Sequence, residues 1–355
     1  MRNLAPLQLV PRARFNVFVG DNGQGKTNLL EALYVVSALR SFRTAKLADL
    51  IAFGQPKAAI AARVERGGMT RLYEVDLEPG GRRVRLDDKA VRPLARYFGG
   101  FNVVVFTPED LALPRGAPGD RRKFLDRAVF NVQPDFLALA LDYDKALKQR
   151  NALLKMAGQG ALTPARLDEL LAGYDPQIAR LGVAVAAARA QVIARLVPDL
   201  AASFAAITRS GLSASVRYVS EVAGATPDQV EQMLREGRAR DVARQATSTG
   251  PHRDDVLLEL DGREAGSFAS QGQLRAIMLA WKTAELVMLS RAHGDPPILL
   301  LDDVSSELDP SRNAYLFEHV ASHAGQCFIT TTHADHVLVA GDRANYRIES
   351  GKISS

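Results

Sequence analysis

The chain contains 355 residues, of which 47% are hydrophobic and 6% aromatic, and this size and composition predict a soluble globular protein of one to three domains. Its 45 Lys and Arg residues exceed its 40 Asp and Glu residues, a net charge of +5 that permits nucleic-acid binding without requiring it. A single cysteine excludes an intrachain disulfide, and with neither an apolar leader nor about 18 consecutive uncharged apolar residues we expect a cytoplasmic protein with no membrane partner.

A glycine-rich turn follows the first strand that the sequence predicts. Apolar residues alternate over positions 15–19, and good helix formers follow from Asn28. This order of strand, loop and helix is the context that a phosphate-binding loop requires, because glycines let successive backbone N–H groups point at phosphate oxygens. Lys26 would supply positive charge to the β- and γ-phosphates, and the Thr27 hydroxyl is placed to bind Mg²⁺. The predicted nucleotide-binding residues of the loop are Gly20, Asp21, Asn22, Gly23, Gln24, Gly25, Lys26 and Thr27.

Two smaller features flank this element. About 14 residues precede the first strand, so we expect the edge strand beside it to be missing and the start of the chain to be clipped or misplaced. After the first helix, Arg40, Arg43 and Lys46 form a small basic group, which is more typical of a solvated helix face than of a binding site.

Strand-like segments follow. The segments 59–64, 72–77 and 84–86 are short and separated by turns, which predicts an antiparallel subdomain. The apolar run 101–106 is consistent with a buried strand of the main sheet.

Helix-length segments then extend to about residue 196. Thr163 and Pro164 predict a helix cap and a first helical residue, and Pro176 is expected to restart the helix. The apolar stripe shows no sustained heptads, so we predict a compact helical lobe and not a long coiled coil. The domains predicted from these changes are a first lobe with the phosphate loop at 1–110, a helical lobe at 111–290, and the remainder of the first lobe at 291–355.

A polar stretch precedes another predicted strand, at 256–260. His252 alone is more typical of a turn residue than of a ligand. Because Arg253, Asp254 and Asp255 follow it directly, the cluster remains a candidate functional group.

Two carboxylates end a second buried strand. The apolar run 297–301 leads into Asp302 and Asp303. Such a strand would lie beside the loop-bearing strand and bring Asp302 to Mg²⁺, usually through water, opposite Thr27. Asp303 is then the candidate to orient or deprotonate the attacking water, so Asp303 and Lys26 are the predicted catalytic residues.

A third element precedes the helix predicted from 274 to about 290. Beside the two nucleotide elements, the tetrapeptide 270–273 resembles the signature sequence of ABC-type ATPases, where Ser and Gly at a helix N-terminus hold the γ-phosphate of ATP bound to the other subunit. The resemblance implies an ATP-dependent homodimer in which Ser270, Gly272 and Gln273 bind nucleotide. Segment 306–309 matches the dimer-contacting D-loop of that superfamily. His333 falls where transporters place a γ-phosphate-sensing histidine.

Taken together, these motifs resemble the RecF family of bacterial recombination mediators. The resemblance covers nearly the whole chain in the expected order, and the stretches that carry it are residues 21–32, 121–126, 149–151, 250–255, 270–275 and 301–309. It implies an α/β fold of the ABC type, an SMC-like P-loop ATPase head without the coiled coil, with a mixed sheet, an antiparallel β-subdomain and an inserted helical lobe.

The resemblance also implies a function. A protein of this family would dimerise on ATP and Mg²⁺, bind single-stranded, gapped or junction DNA, and work with RecR and RecO to load RecA in repair, replication restart and the SOS response. The pair Asp302 and Asp303 matches the family, whereas most ABC ATPases have Asp-Glu. Since Asp303 is one methylene shorter than Glu, the resemblance fits slow hydrolysis, a switch and not a fast motor.

Two other function classes remain open from the sequence. The ATPase subunit of a membrane transporter would share the nucleotide elements, but the helical insertion of about 150 residues and the twin aspartate argue against it. A P-loop kinase would require the signature and D-loop to be coincidences. The basic residues proposed to contact DNA are Arg121, Arg122, Lys123, Lys148, Arg150 and Lys155.

Overall fold

The chain divides into two compact units. Unit 1 comprises Met1–Ala112, Ala202–Ser210 and Gln271–Ser355, and unit 2 comprises Leu113–Ala201 and Gly211–Ser270. Unit 1 therefore joins both ends of the chain, and unit 2 is formed by most of its middle. The residues described by this computed structural model are 1–11, 14–92, 94–339 and 341–354.

Strands and helices are numbered in chain order. The strands are β1 (Phe15–Val19), β2 (Ala58–Arg66), β3 (Met69–Glu78), β4 (Gly81–Leu86), β5 (Lys89–Ala90), β6 (Val103–Phe106), β7 (Ala214–Val219), β8 (Asp255–Leu260), β9 (Arg263–Glu264), β10 (Ile298–Asp302), β11 (Gln326–Thr331), β12 (Arg343–Glu349) and β13 (Lys352–Ser354). The α-helices are α1 (Lys26–Ala38), α2 (Pro108–Ala112), α3 (Pro118–Val132), α4 (Phe136–Gly158), α5 (Pro164–Thr208), α6 (Pro227–Glu236), α7 (Arg238–Arg244), α8 (Ala265–Phe268), α9 (Gln271–His293) and α10 (Pro310–Tyr315).

The main sheet of unit 1 has the strand order β13, β12, β1, β11, β10, β6. β1 pairs in parallel with β11 and β12, and β10 pairs in parallel with β11 and β6, whereas β12 and β13 are antiparallel. The prediction of a mixed sheet is thus confirmed. β1 has strands on both sides, although the short N-terminus predicted that a neighbour would be missing. Because parallel strands end at the same edge, the residues after β1 and β10 meet there.

The core of this sheet consists of the apolar strands that the sequence indicated. Phe18, Leu300 and Ile329 are buried on three neighbouring strands, and the Phe18 ring stacks on that of Tyr346 with centroids 4.9 Å apart. Cys327 of β11 is completely buried, which confirms its assignment to the core, and burial raises the pKa of its thiol to about 12.

A separate antiparallel sheet, in the order β2, β3, β4, β5, also belongs to unit 1. Its inward side chains, among them Tyr73, Val75 and Leu77, pack with Val35 and Leu39 of α1 in one buried cluster. The predicted antiparallel subdomain is therefore present, and it rests on the helix that follows the glycine-rich turn.

Unit 2 contains the helices α3, α4, α6 and α7, most of α5, and a small sheet in the order β7, β8, β9. At the start of α5 the Thr163 hydroxyl accepts a hydrogen bond from the Arg166 backbone N–H (3.3 Å), as expected of a helix cap. Thr226 and Gln229 form a reciprocal capping box at the start of α6.

α5 does not restart at Pro176. The helix is continuous over 45 residues and contains both Pro176 and Pro198. A proline inside a helix removes one backbone hydrogen bond, but Asp175 beside it is fully buried and ion-paired, which holds the backbone in place. Length and composition alone would allow α5 to cross a membrane; its buried Leu171 and Val192 are what a core helix of a globular protein requires.

α9 is placed differently from the sequence interpretation, which put residues 271–290 in the helical lobe. The helix lies in unit 1, and nearly all of its length is buried, including Trp281 and Leu289. A helix that is buried along nearly all of its length is typical of a core position, and here the core belongs to the main-sheet unit.

Candidate nucleotide site

The loop between β1 and α1 has the backbone that a phosphate cradle needs. Gly23 has φ +81° and Gly25, which caps α1, has φ +107°, a region that residues with a Cβ rarely adopt. A Cβ at Gly20 would overlap the carbonyl oxygen of Ile348 in β12, so close packing requires glycine there as well. The N-terminus of α1, with its free backbone N–H groups, therefore opens directly onto this loop.

Lys26 is buried and turned back onto its own loop. Its ammonium donates hydrogen bonds to the backbone oxygens of Gly20 (2.6 Å) and Asp21 (3.0 Å). Burial lowers the pKa of the ammonium, and the carboxylates of Asp303, Asp302 and Asp21 oppose that shift. The loop thus holds a buried cation at the point where phosphate charge would be bound.

The two halves of the predicted site meet in a direct hydrogen bond. The Thr27 hydroxyl donates to Asp302 Oδ1 over 2.8 Å, although 275 residues separate them. Thr330 of β11, which lies opposite Asp302 in the strand register, donates to the same oxygen over 2.8 Å. Burial raises the pKa of Asp302, and the hydrogen bonds from Thr330 and Thr27 counteract it. The sequence interpretation did not include Thr330, although its position at the end of an apolar strand was a usable signal.

This donor set fits magnesium. Mg²⁺ prefers hard oxygen ligands and usually takes only one or two carboxylates, with water and substrate phosphate completing its shell. Thr27 and Asp302 supply a hydroxyl and a carboxylate already in contact with each other at the mouth of the phosphate loop.

Asp303 follows in a left-handed backbone conformation, with φ +53°. Its backbone N–H donates to the Thr330 carbonyl (3.0 Å), which ties the turn to β11. Its Oδ1 atom is buried and has no hydrogen-bond donor among the residues that the structure describes. Burying a carboxylate oxygen without a hydrogen-bond donor is energetically unfavourable. This atom can therefore accept a hydrogen bond from a molecule bound in the site.

The outer side of the phosphate loop is held by both ends of unit 1. The Asn3 side-chain amide donates to the Gly23 carbonyl (2.7 Å). In the turn between β12 and β13, the Ser350 and Gly351 backbone N–H groups donate to the side-chain and backbone oxygens of Gln24 (2.6 and 3.0 Å). Gln24, predicted to bind nucleotide, thus has a supporting contact, and Asn3 is a loop contact that the sequence interpretation missed.

Arg43 is exposed, but it lies in the non-helical segment after α1 and takes part in a polar network beside that helix. Its guanidinium donates to the Asn28 side chain (3.0 Å) and lies 3.6 Å from the fully buried carboxylate of Glu31, which Arg2 also pairs at 3.2 Å. Its charge reaches Asp302, whose pKa it helps to lower. The prediction of a helix face was wrong because the segment after α1 is not helical and folds back against that helix.

The signature tetrapeptide spans the start of α9. Ser270 is exposed, and Gly272 and Gln273 lie in the first turn of the helix. An exposed serine before a long helix is accessible to a second molecule, as a nucleotide site shared between two chains requires. The Ser306 hydroxyl of the predicted D-loop donates to the Asp303 carbonyl (2.7 Å). His333 is exposed, and its role stays a prediction.

The proposed DNA contacts differ in their exposure. Arg150 is completely buried and Arg121 nearly so, with Nε and Nη2 of Arg121 both donating to the Asp255 carboxylate (2.8 and 2.6 Å). Both were wrong as surface contacts, because a buried, ion-paired guanidinium is not available to a phosphate. Arg122 is half-buried and donates to the Asp254 carbonyl (2.7 Å).

The lysines remain candidates. Lys123 and Lys148 are exposed and form ion pairs with neighbours on their own helices, Asp120 (3.1 Å) and Asp144 (2.5 Å). Lys155 is exposed as well.

The cluster around His252 is a buried polar network of unit 2. The Tyr143 hydroxyl lies 2.7 Å from His252 Nδ1, and the other ring nitrogen lies 2.9 Å from the Thr247 carbonyl. Burial lowers the pKa of His252, so the ring stays neutral at physiological pH. The Asp254 carboxylate accepts a hydrogen bond from the Tyr218 hydroxyl. The Asp126 carboxylate accepts one from the Arg189 guanidinium. The arrangement fixes the loop before β8.

Comparison with known proteins agrees with this geometry. The family model of the RecF/RecN/SMC N-terminal domain matches residues 1–354. A DNA replication and repair protein RecF from Myxococcus xanthus (strain DK1622) is 43% identical over 353 residues, 97% of this chain and 91% of the relative. The corresponding protein of Anaeromyxobacter sp. (strain Fw109-5) is 41% identical over 365 residues, 99% and 96% of the two chains.

A solved structure is also similar over its whole length. The recombination mediator RecF bound to ATP, described as acting in the RecFOR pathway, has a TM-score of 0.87 and 28% identity, covering 99% of this chain and 94% of its own. The identity, the coverage and the fold agree along the entire sequence. The chain therefore belongs to the RecF family of DNA replication and repair proteins.

Proposed function

We propose that the protein is an ATP-gated DNA-binding protein of replication and repair, which dimerises on ATP, binds single-stranded or gapped DNA and, with RecR and RecO, helps to load RecA in repair and in the SOS response. The observation that carries the proposal is the hydrogen bond between Thr27 and Asp302 at the mouth of the phosphate loop. It joins the phosphate-binding half and the carboxylate half of a nucleotide site within one chain. The expected location is the cytoplasm.

ATP and Mg²⁺ are the cofactors that this site would take. The loop N–H groups and Lys26 would bind the β- and γ-phosphates, and Thr27 and Asp302 would hold the cation. The named relatives are DNA replication and repair proteins, which argues against a transporter subunit.

Asp303 would govern the lifetime of the ATP state. Its buried Oδ1 atom is free to accept a hydrogen bond from a water molecule, which it would orient or deprotonate. A carboxylate on a shorter side chain than Glu reaches that water less well. We expect weak ATPase activity that resets a switch.

The first test is light scattering with and without ATP and Mg²⁺, in the presence of a gapped DNA duplex, on the wild type and on Asp303→Asn. We expect the mass to double with ATP, DNA to be captured, and the complex to outlast the wild-type complex in the variant, because the amide cannot accept a proton. A protein that stays monomeric with ATP and ignores DNA would overturn the proposal.

Ser270→Arg should leave ATP bound to the monomer but prevent dimerisation. The serine is exposed, so a larger side chain is tolerated by the fold, yet the added bulk and charge would occupy the place of the second chain's γ-phosphate. Nucleotide binding is measured by calorimetry and dimerisation by light scattering. Ser213→Arg, at another exposed serine of unit 2, is the matched control and should dimerise normally. An ATP dimer of Ser270→Arg would remove the shared-site interpretation.

A further inference from the structure

Gly272 lies against an arginine from the far side of the D-loop. If Gly272 carried a Cβ, that atom would lie 3.0 Å from Arg312 Nη2 and 3.4 Å from Cζ, closer than nearly all such contacts in proteins. Both residues belong to unit 1. The first turn of α9 and the guanidinium of Arg312 in α10 are therefore in close contact, and a side chain at position 272 would require the guanidinium to shift.

The guanidinium is held by its own helix cap. Asp309 caps α10 by accepting from the Arg312 backbone N–H (3.1 Å) through Oδ1, while Oδ2 pairs with Arg312 Nη1. Burial raises the pKa of Asp309, but the bonds from Ser311 and Arg312 outweigh it and lower the value to about 2. The carboxylate is thus ionised at any working pH, and the pair is a fixed element.

Arg312 also has an unused donor. Its Nε–H is buried and reaches no acceptor in the described part of the chain. A buried donor without an acceptor is unfavourable, so hydrogen bonding of the guanidinium alone does not account for its position against α9.

The same segment carries the nucleotide carboxylates at its other end. Asp303 begins the turn that leads through Ser306 to Asp309, and the Ser306 hydroxyl bonds back to the Asp303 carbonyl. A second link between this turn and α9 is the ion pair between Arg275 and Glu307 at 3.3 Å. The segment that begins at Asp303 therefore contacts the start of α9 at two places, through Glu307 and through Arg312.

We propose that Arg312 is a positioning residue that fixes the first turn of α9 to the segment after Asp303, and so couples the nucleotide held by one chain to the signature that receives the nucleotide of its partner. The proposal rests on the proposed function, since it requires the ATP dimer. In this proposal, position 272 is glycine because the Arg312 guanidinium of the same chain lies where a side chain would extend.

A double-mutant cycle separates the two roles of Gly272. The measured quantity is the ATP concentration for half-maximal dimerisation. If the cost of Gly272→Ala comes from the clash with Arg312, the substitution should raise this concentration at least about tenfold in the protein that keeps Arg312. In an Arg312→Ala background the same substitution should raise it less than about threefold. An equal cost in both backgrounds would overturn the proposal, because glycine would then be needed only for the approach of phosphate.

A second readout does not depend on dimers. In the protein without nucleotide, Arg312→Ala should speed hydrogen exchange of the amides of residues 273–276 by about tenfold, since the turn loses its anchor. Unchanged exchange would contradict the proposal. Should the alanine variant fail to fold, Arg312→Gln, which lacks the charge and the planar fork, is used instead.

Controls keep this result distinct from a failure of the proposed function. Arg166→Ala removes an exposed Arg–carboxylate pair with the same three-residue spacing, to Glu169, and should change neither readout. A wild type that does not dimerise with ATP would reject the proposed function, whereas the exchange experiment would still decide whether Arg312 anchors the turn.

Discussion

Alanine at position 26 will abolish ATP binding at concentrations that saturate the wild type. Hydrogen bonds to charged groups contribute about 1.5–3 kcal/mol each, so two bonds from one ammonium to phosphate contribute about 3–6 kcal/mol. The loss in binding free energy is this contribution less that of the bonds to the Gly20 and Asp21 carbonyls, and each 1.4 kcal/mol is about tenfold in Kd. The lysine is buried at the start of α1, beside the loop that would hold the phosphates.

Calorimetric titration with ATP and Mg²⁺ measures this effect. Lys57→Ala, which removes an exposed lysine of the same unit, is the control and should bind ATP as the wild type does. Circular dichroism verifies that Lys26→Ala is folded. Wild-type affinity in the folded variant would show that the glycine-rich loop is not the phosphate site.

Arg150→Ala will destabilise unit 2 by about 3–5 kcal/mol, the typical cost of removing one partner from a buried ion pair. The guanidinium donates to Asp175 (2.9 Å), Asp241 (2.7 Å) and the Thr247 hydroxyl (2.9 Å), and both carboxylates are buried. Asp175 keeps a second partner in Arg238 (2.8 Å), but Asp241 would be left as a buried charge with hydroxyl and amide donors only.

The measurement is the urea midpoint followed by far-ultraviolet circular dichroism, which reports the helices of unit 2. Lys148→Ala, two residues earlier on α4, breaks only an exposed pair with Asp144 and should cost about 0.5 kcal/mol or less. If both variants unfold alike, the buried network does not support the unit. The same two proteins also test DNA binding, where a loss confined to Lys148→Ala would favour a phosphate contact at that lysine.

Local patterns were enough to find the phosphate loop, the strand that ends at Asp302 and the cap at Thr163. In each case the signal lies within a few residues: glycines that permit a left-handed backbone, apolar alternation, or a hydroxyl before a proline. The antiparallel sheet could be predicted from the same signals, whereas the mixed sheet was implied by the resemblance to the RecF family.

Long-range partners were beyond the sequence. Arg150 was predicted to be a surface charge because arginine is usually exposed. Its partners, Asp175 and Asp241, lie 25 and 91 residues away in the sequence, so no local pattern indicated them. Pro176 is expected to interrupt a helix, and only the buried pairing of Asp175 explains why it does not. Thr330 reaches Asp302 through sheet register, which follows from the fold and not from spacing.

Before any nucleotide arrives, Lys26 is already bound to the carbonyl oxygens of Gly20 and Asp21. ATP therefore has to compete with the protein's own backbone for this lysine. Affinity at this site reflects the difference between two sets of bonds, one to carbonyls and one to phosphates. A change that weakens the first set without touching the second would make the protein bind ATP more tightly than it does now.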